Sequence, residues 1–128
     1  MKKVVLDTNI IVSALWSEAG KPARIFEMFL KGEITICYDC RILIEYKEVL
    51  NRPGLAFKRT KIGNIINRIR NDGIAIVAQS CDLPFVDEDD RMFYEVAKEC
   101  GAVLITGNIR HYPTSPFIMT VTDFLMEK

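Results

Sequence analysis

The sequence predicts an α/β fold of three layers, with helices on both faces of a central parallel sheet of about four to five strands. Three observations predict it. Short apolar or β-branched runs alternate with longer segments of helical period along the whole chain. The opening run, Val4-Val5-Leu6, is apolar at every position, the mark of a strand buried on both faces. The length, 128 residues with 49% hydrophobic and 27% charged, suits one domain over residues 1–128 with a core of its own.

Taken in order, Val4-Val5-Leu6 forms strand one. Asp7-Thr8-Asn9 follows, and Ile10, Ile11, Ala14 and Leu15 then recur at helical spacing. Gly20, Lys21 and Pro22 restart the chain, and residues 23–30 read as a helix with Ile25, Phe26, Phe29 and Leu30 inward. Gly32 ends it. Residues 34–38 form strand two, with β-branched Ile34, Thr35 and Ile36. A helix over about 41–51 is stopped by Pro53-Gly54. Another covers about 58–71, with Ile62, Ile65, Ile66 and Ile69 as its stripe. Asp72-Gly73 turns into strand three at 74–77. An acidic loop leads to a helix over about 88–100, closed by Gly101. Residues 102–106 make strand four, 117–121 a fifth strand, and 122–127 a short final helix. No repeat or low-complexity segment interrupts this order.

Composition excludes several classes. No apolar run approaches the roughly 18 residues that cross a bilayer. The stretch before Asp7 is too short for a signal peptide, so no membrane association and a cytoplasmic address are expected. Lys plus Arg balance Asp plus Glu at 17 each, which removes any global field for recruiting nucleic acid. The charges are nevertheless segregated. Six basic residues (Arg52, Lys58, Arg59, Lys61, Arg68 and Arg70) lie between Asn51 and Arg70 without an acid, and five acids lie between Asp82 and Asp90 without a base. This suits a basic rim beside an acidic pocket, or simply two solvated surfaces.

The four cysteines include a C-x-x-C, Cys37-Tyr-Asp-Cys40. Structural zinc takes about four ligands, but there is no second pair and the sole histidine is His111. Redox chemistry stays open, because Cys40 would start a helix whose dipole lowers thiol pKa. The simpler reading is reduced, small core residues.

The carboxylates carry more information. In parallel sheets functional groups gather beyond the carboxyl ends of the strands. Strand one ends in Asp7-Thr8-Asn9 and strand four in Thr106-Gly107-Asn108. Asp7 suits an N-cap, yet three polar residues in a row exceed what one cap needs. In the third helix Ile42, Leu43, Tyr46, Val49 and Leu50 form an apolar arc. Glu45 lies just outside it, about 40° from Val49 at about 100° per residue, and Glu48 lies further toward solvent. Such a carboxylate suits a crevice, or a surface charge whose stem lies along the core edge. Asp87-Glu88-Asp89-Asp90 resembles a capping box before its helix. Four consecutive carboxylates repel, however, and a bound cation would relieve them. Acids of this kind suit a hard cation such as Mg²⁺ or Mn²⁺.

These pieces, in this order, resemble the PIN-domain nucleases, particularly the toxins of VapBC-like toxin–antitoxin modules. The resemblance rests on Val4-Val5-Leu6-Asp7-Thr8-Asn9, on Glu45 within Leu43-Ile44-Glu45-Tyr46-Lys47-Glu48-Val49-Leu50, on Asp87-Glu88-Asp89-Asp90 followed by Ala97, and on Leu104-Ile105-Thr106-Gly107-Asn108. It implies a PIN-like fold and a divalent-metal-dependent endoribonuclease. Asp7, Glu45 and Asp90 would hold Mg²⁺ or Mn²⁺, and Asp90 is preferred to Asp89 by its interval to Ala97. Thr8, Asn9 and Thr106 would orient the ligands. Many relatives carry a fourth acid where this chain has Asn108, which lowers the charge of the site and places a full second metal in doubt. Arg52, Lys58, Arg59 and Lys61 would hold the RNA substrate, single-stranded or structured. The resemblance also implies an antitoxin protein as partner and pairing as a homodimer. The alternative is a degenerate PIN domain that holds RNA or protein without catalysis, and Asn108 is the residue that favours it.

Overall fold

The computed structural model describes residues 2–127. Its elements follow as β1 (Lys2–Leu6), α1 (Thr8–Trp16), α2 (Lys21–Leu30), β2 (Ile34–Tyr38), α3 (Cys40–Leu50), α4 (Arg59–Asp72), β3 (Ile74–Ala75), α5 (Arg91–Cys100), β4 (Val103–Ile105), β5 (Ile118–Met119) and α6 (Val121–Met126). All strands pair in parallel, in the order β3-β2-β1-β4-β5. Helix α5 packs on β1, β2 and β4, α3 and α4 reach β2, α1 reaches β1, and α2 reaches β2 and α6.

The centre of the sheet explains its composition. Val4, Val5 and Leu6 are at most 1% exposed, because helices cover both faces of a parallel sheet and leave no polar side. The strand order reverses direction between β1 and β4, so both strand ends border one crevice. No helix among the described residues is long and apolar enough to cross a membrane.

Three expectations need correction. Strand three covers only Ile74 and Ala75, both exposed, and Val77 is 93% exposed. This is an edge strand without a helix over its outer residues, and after Ile76 donates its amide to the Tyr38 carbonyl (2.9 Å) the chain leaves the sheet. Leu30, expected inward, is 40% exposed, while Met28 is buried. Helix α2 ends at Leu30, and Gly32 (φ 78°) turns the chain immediately beyond. Finally, the helix expected from residue 88 opens as a 3₁₀ turn, Glu88–Asp90, before α5 begins.

Gly73 joins α4 to β3 by close approach of backbones. A Cβ there would stand 2.5 Å from the Ile69 carbonyl oxygen and 2.7 Å from that of Ile36. Neither atom can rotate away, so Gly73→Ala is expected to lower stability by about 1–3 kcal/mol. At helical Gly63 an added Cβ meets nothing within 4 Å, and Gly63→Ala should raise stability by about 0.5–1 kcal/mol. Paired urea denaturations check both signs. A Gly73→Ala protein as stable as wild type would show that the α4–β3 junction relaxes freely.

Candidate functional site

Asp7 stands one residue beyond β1. Its amide donates to the Ile105 carbonyl (3.1 Å), extending the β1–β4 pairing past the strand. It occupies the N-cap position of α1, but its Oδ1 accepts the Asn9 amide at only 3.4 Å. The stronger contacts come from across the sheet. Oδ2 accepts from Thr106 Oγ1 (2.9 Å) and from the Tyr112 hydroxyl (3.1 Å). A cap requires neither. The Asp7 carboxylate, in a residue only 8% exposed, is thus fixed by groups from both strand ends. Burial, followed by the negative charges of Asp7 and Asp90, pushes the Tyr112 hydroxyl well up, so it remains a donor.

Glu45 is carried in on α3. Asp39 caps that helix through Oδ1 and the Ile42 amide (3.0 Å). The next turn buries Tyr46 completely, and its hydroxyl donates to the Leu6 carbonyl at 2.5 Å. Helix α3 is thereby pinned to the end of β1, and Glu45 is held at the core edge. Its Oε2 accepts from Thr8 Oγ1 at 3.0 Å. Burial first, then the charges of Asp7, Glu45 and Asp39, pushes the Tyr46 hydroxyl up, so it remains a donor. Glu48 faces solvent.

Asp90 is where capping fails as an explanation. Asp87 caps the acidic turn by accepting the Asp89 amide (3.0 Å), and Asp89 is exposed. Asp90 contributes only its backbone, donating to the Asp87 carbonyl (3.1 Å). Its side-chain Oδ2 is buried and receives no hydrogen bond. His111 Nδ1 lies 3.5 Å away without forming a hydrogen bond to it. Burial, the Asp7 charge and, more weakly, Asp87 and Asp89 raise the Asp90 carboxyl to about 6, against the opposing pull of His111.

A second buried carboxylate braces these elements. Glu95, on α5, accepts from Arg41 Nη1 (2.8 Å) and from the Cys81 amide (2.7 Å). Arg41 also donates to Asp39, so α5, which begins directly after Asp90, and α3, which carries Glu45 at its middle, are tied together. Arg91 grips the Cys81 carbonyl and Glu88 and lies 4.7 Å from the Phe85 ring centroid. Between α3 and α5 a cleft of about 250 Å³ is bounded by Arg41, Glu45, Glu48, Glu88, Asp89 and Arg91, among others.

The remaining expected residues lie farther out. Thr106 is wholly buried and accepts the Asn108 amide (3.1 Å) while donating to Asp7. The Asn108 and Asn9 side chains are exposed, and Asn9 meets Asp7 through its backbone. Arg52, Lys58 and Arg59 are exposed and Lys61 half-buried. Tyr46 and Tyr112 are the residues that sequence reasoning missed. Tyr46 reads as one more member of the apolar arc, and nothing in the pattern around Tyr112 points to Asp7.

Among the described residues no three His, Cys, Asp or Glu side chains are drawn into a ready-made ion cage. The donors nevertheless fit a hard cation. Asp7, Glu45 and Asp90 offer carboxylate oxygens of the kind that Mg²⁺ and Mn²⁺ take, and one of those oxygens is buried with no donor. Asp7, Glu45 and Asp90 could hold such an ion.

The PIN domain sequence model matches residues 3–110, and the chain belongs to the PIN domain family. It is 31% identical over 112 residues to the uncharacterized protein MJ1680 of Methanocaldococcus jannaschii, covering 83% of this chain and 70% of that one. Among solved structures it is similar to VapBC2 from Rickettsia felis, bound there to a DNA fragment from their promoter. That match has a TM-score of 0.59 and 16% identity, over 92% of this chain and 96% of the other. At such identity the likeness is one of fold, and the fold is the parallel α/β arrangement described above.

Burial and repulsion at Asp90 have a measurable sign. An unfolded aspartate titrates near 3.9, whereas Asp90 in the fold is raised to about 6. Between these values the unfolded chain has lost the proton that the native chain still binds, so stability falls as pH rises and stays lower above the window. In chelator, Asp90→Asn should therefore melt higher than wild type at pH 7, and the difference should shrink toward pH 4. Thermal melts across that range check it. A difference independent of pH would mean that neither burial nor neighbouring charge raises the Asp90 carboxyl in the fold.

Proposed function

We propose that this chain is a divalent-metal-dependent endoribonuclease whose Asp7, Glu45 and Asp90 hold Mg²⁺ or Mn²⁺. The observation that carries the proposal is the buried, unbonded Asp90 Oδ2 set against the firmly held Asp7 carboxylate. An oxygen left so costs stability, and a cation ligand is the use that accounts for it. When bound, the cation lowers the pKa of a water and neutralises charge developing on the phosphate oxygens. The chain's part is positioning. Thr106 and Tyr112 fix Asp7, Thr8 fixes Glu45 by donating to Oε2, and Tyr46 keeps α3 against the end of β1.

The basic residues support an anionic substrate. Lys58, Arg59 and Lys61 crowd the start of α4, whose first turn holds no acid. Cations there oppose the helix dipole, so helix stability does not account for them, and phosphate binding does. Membership of the PIN family supports a nuclease, and the fold shared with VapBC2 supports a toxin role with an antitoxin partner. A second reading, a PIN domain that binds RNA without cutting it, is favoured by the exposed Asn108, which supplies no fourth carboxylate.

Purified protein should cleave single-stranded RNA in Mn²⁺ or Mg²⁺ and stop on addition of chelator. Asp7→Asn, Glu45→Gln and Asp90→Asn should each slow cleavage by at least about 10²-fold. Mn²⁺ should raise the melting temperature of wild type and lose most of that effect in Asp90→Asn, since a ligand binding only the folded state stabilises it by mass action. RNA binding without cleavage in any metal would favour the second reading. Unchanged rates in all three variants would remove the site.

For the basic rim, Arg59→Ala with Lys61→Ala should weaken RNA binding and flatten its salt dependence, each lost phosphate contact lowering the log–log slope by about 0.7. Titrations at several salt concentrations read this directly. A slope equal to wild type would assign these residues elsewhere.

A further inference from the structure

Cys37 and Cys100 stand 63 positions apart in sequence, yet their sulfurs lie 2.7 Å from one another. A disulfide bond measures about 2.05 Å, so an approach of only ~0.7 Å separates contact from bond. The two sulfurs differ in access. Cys37 is wholly buried near the end of β2, opposite Ile74 of β3, whereas Cys100 is half-buried as the last residue of α5. Gly101, at φ 67°, ends the helix directly after it. The C-x-x-C partner suggested by the sequence is elsewhere. Cys40 opens α3 and is exposed, so the core reading holds for Cys37 alone.

We infer that Cys37 and Cys100 form an oxidisable dithiol, closed by a small-molecule disulfide such as glutathione disulfide, that staples β2 to the end of α5. Accessibility sets the order of steps. The Cys100 thiolate attacks one sulfur of glutathione disulfide, breaking its S–S bond and releasing one glutathione thiolate, which takes up a proton. The Cys37 thiol then loses its proton to solvent and attacks the Cys100 sulfur of the mixed disulfide, releasing the second glutathione. Two protein thiols are oxidised and one glutathione disulfide becomes two thiols, so electrons and atoms balance. Burial, and then the Cys100 sulfur, push the Cys37 thiol well up, which makes the second step slow and faster in alkali.

The bond would lie across the elements that carry the carboxylates. Strand β2 runs through Asp39 into α3 and Glu45, and α5 begins directly after Asp90. Closing so long a loop removes much of the unfolded chain's freedom. The oxidised chain should melt on the order of 10 °C higher than the reduced one. In a reducing compartment such bonds are transient, so the stapled state would report oxidation rather than persist.

The inference does not depend on nuclease activity, and its test uses neither RNA nor metal. The full chain is incubated with glutathione disulfide, then digested without reductant and weighed. A Cys37–Cys100 linked peptide is expected, with loss of two hydrogens from the intact mass and a higher melting temperature that reductant reverses. Cys40→Ser should behave as wild type. Cys100→Ser should lose both the bond and the shift, and should itself fold because its side chain is partly at the surface. A linkage to Cys40 or Cys81, a lasting glutathione adduct on Cys100 alone, covalent dimers, or a bond that leaves melting unchanged would each overturn the inference. Should Cys100→Ser not fold, the peptide linkage in wild type still decides.

Discussion

The parallel pairing of β1 with β4 is the constraint on which the rest of the site depends. Val4 faces Val103, Val5 faces Leu104 and Leu6 faces Ile105, so Asp7 and Thr106 leave the sheet side by side although 99 positions separate them. Parallel strands have no short turn to set their register, so it must come from packing. The three β1 residues are buried without exception and Leu104 and Ile105 are wholly buried, so a slip by one residue would carry Asp7 into the sheet and Thr106 out of reach. Once the register holds, two hydroxyls and one long amide contact are enough to fix a carboxylate at the crevice.

Two carboxylates, buried Glu95 and half-buried Asp90, show how differently the same group can be treated. Glu95 has Arg41, Arg41's bond to Asp39 and the Cys81 amide around it. Burial pushes its carboxyl up, but those donors outweigh burial and hold it below the usual range. Asp90 is only half-buried, but burial acts together with neighbours of its own sign, and its carboxyl rises. A buried ion pair is weak support for stability by itself, but breaking one is costly. Glu95 therefore reads as a brace that keeps α3 and α5 in register. Asp90 has no such donor on its buried Oδ2, and under the proposed function a cation would supply what Arg41 supplies to Glu95.

Much of this was legible in the sequence because it follows from local rules. The all-apolar β1, the helical stripes and the positions of Asp7 and Thr106 after their strands come from periodicity and from where parallel sheets place functional groups. Glu45 at the core edge comes from helical angle alone. What sequence could not give are contacts set by long-range geometry. Tyr46 is an apolar residue by pattern, and only the fold reveals that its hydroxyl meets the Leu6 carbonyl. Tyr112 reaches Asp7 across 105 positions. Cys37 pairs by eye with Cys40 but in space with Cys100. Strand three was read too long because its β-branched and apolar residues, Ile74, Ile76 and Val77, satisfy strand propensity. Propensity does not say where a helix stops covering an edge.

Tyr112 also carries the contacts of Asp7 past the end of the family match. The PIN domain match stops at residue 110, two positions short of the hydroxyl that holds Asp7 Oδ2. Tyr112 is held by groups inside the matched segment, Asp7, the Ile109 carbonyl and the Phe85 ring, and the chain beyond it returns to the sheet. It does so through β5, where Ile118 and Met119 pair with Leu104 and Ile105, and through α6, which Thr120 caps by accepting the Asp123 amide and whose Phe124 is 2% exposed. The rings of Phe85 and Tyr94, with Phe117, close the gap: Phe85 meets Tyr112 edge-on at 6.2 Å and Tyr94 at 5.5 Å, and Tyr94 meets Phe117 at 5.3 Å. Phe85 belongs to the irregular segment that Arg91 and Glu95 hold in place. The carboxylate after β1 is therefore steadied, through Tyr112, by the loop before α5, whose Phe85 joins Tyr112 to Tyr94 and Phe117. A change at Phe85, remote from the acids, can therefore reach Asp7 through one tyrosine ring.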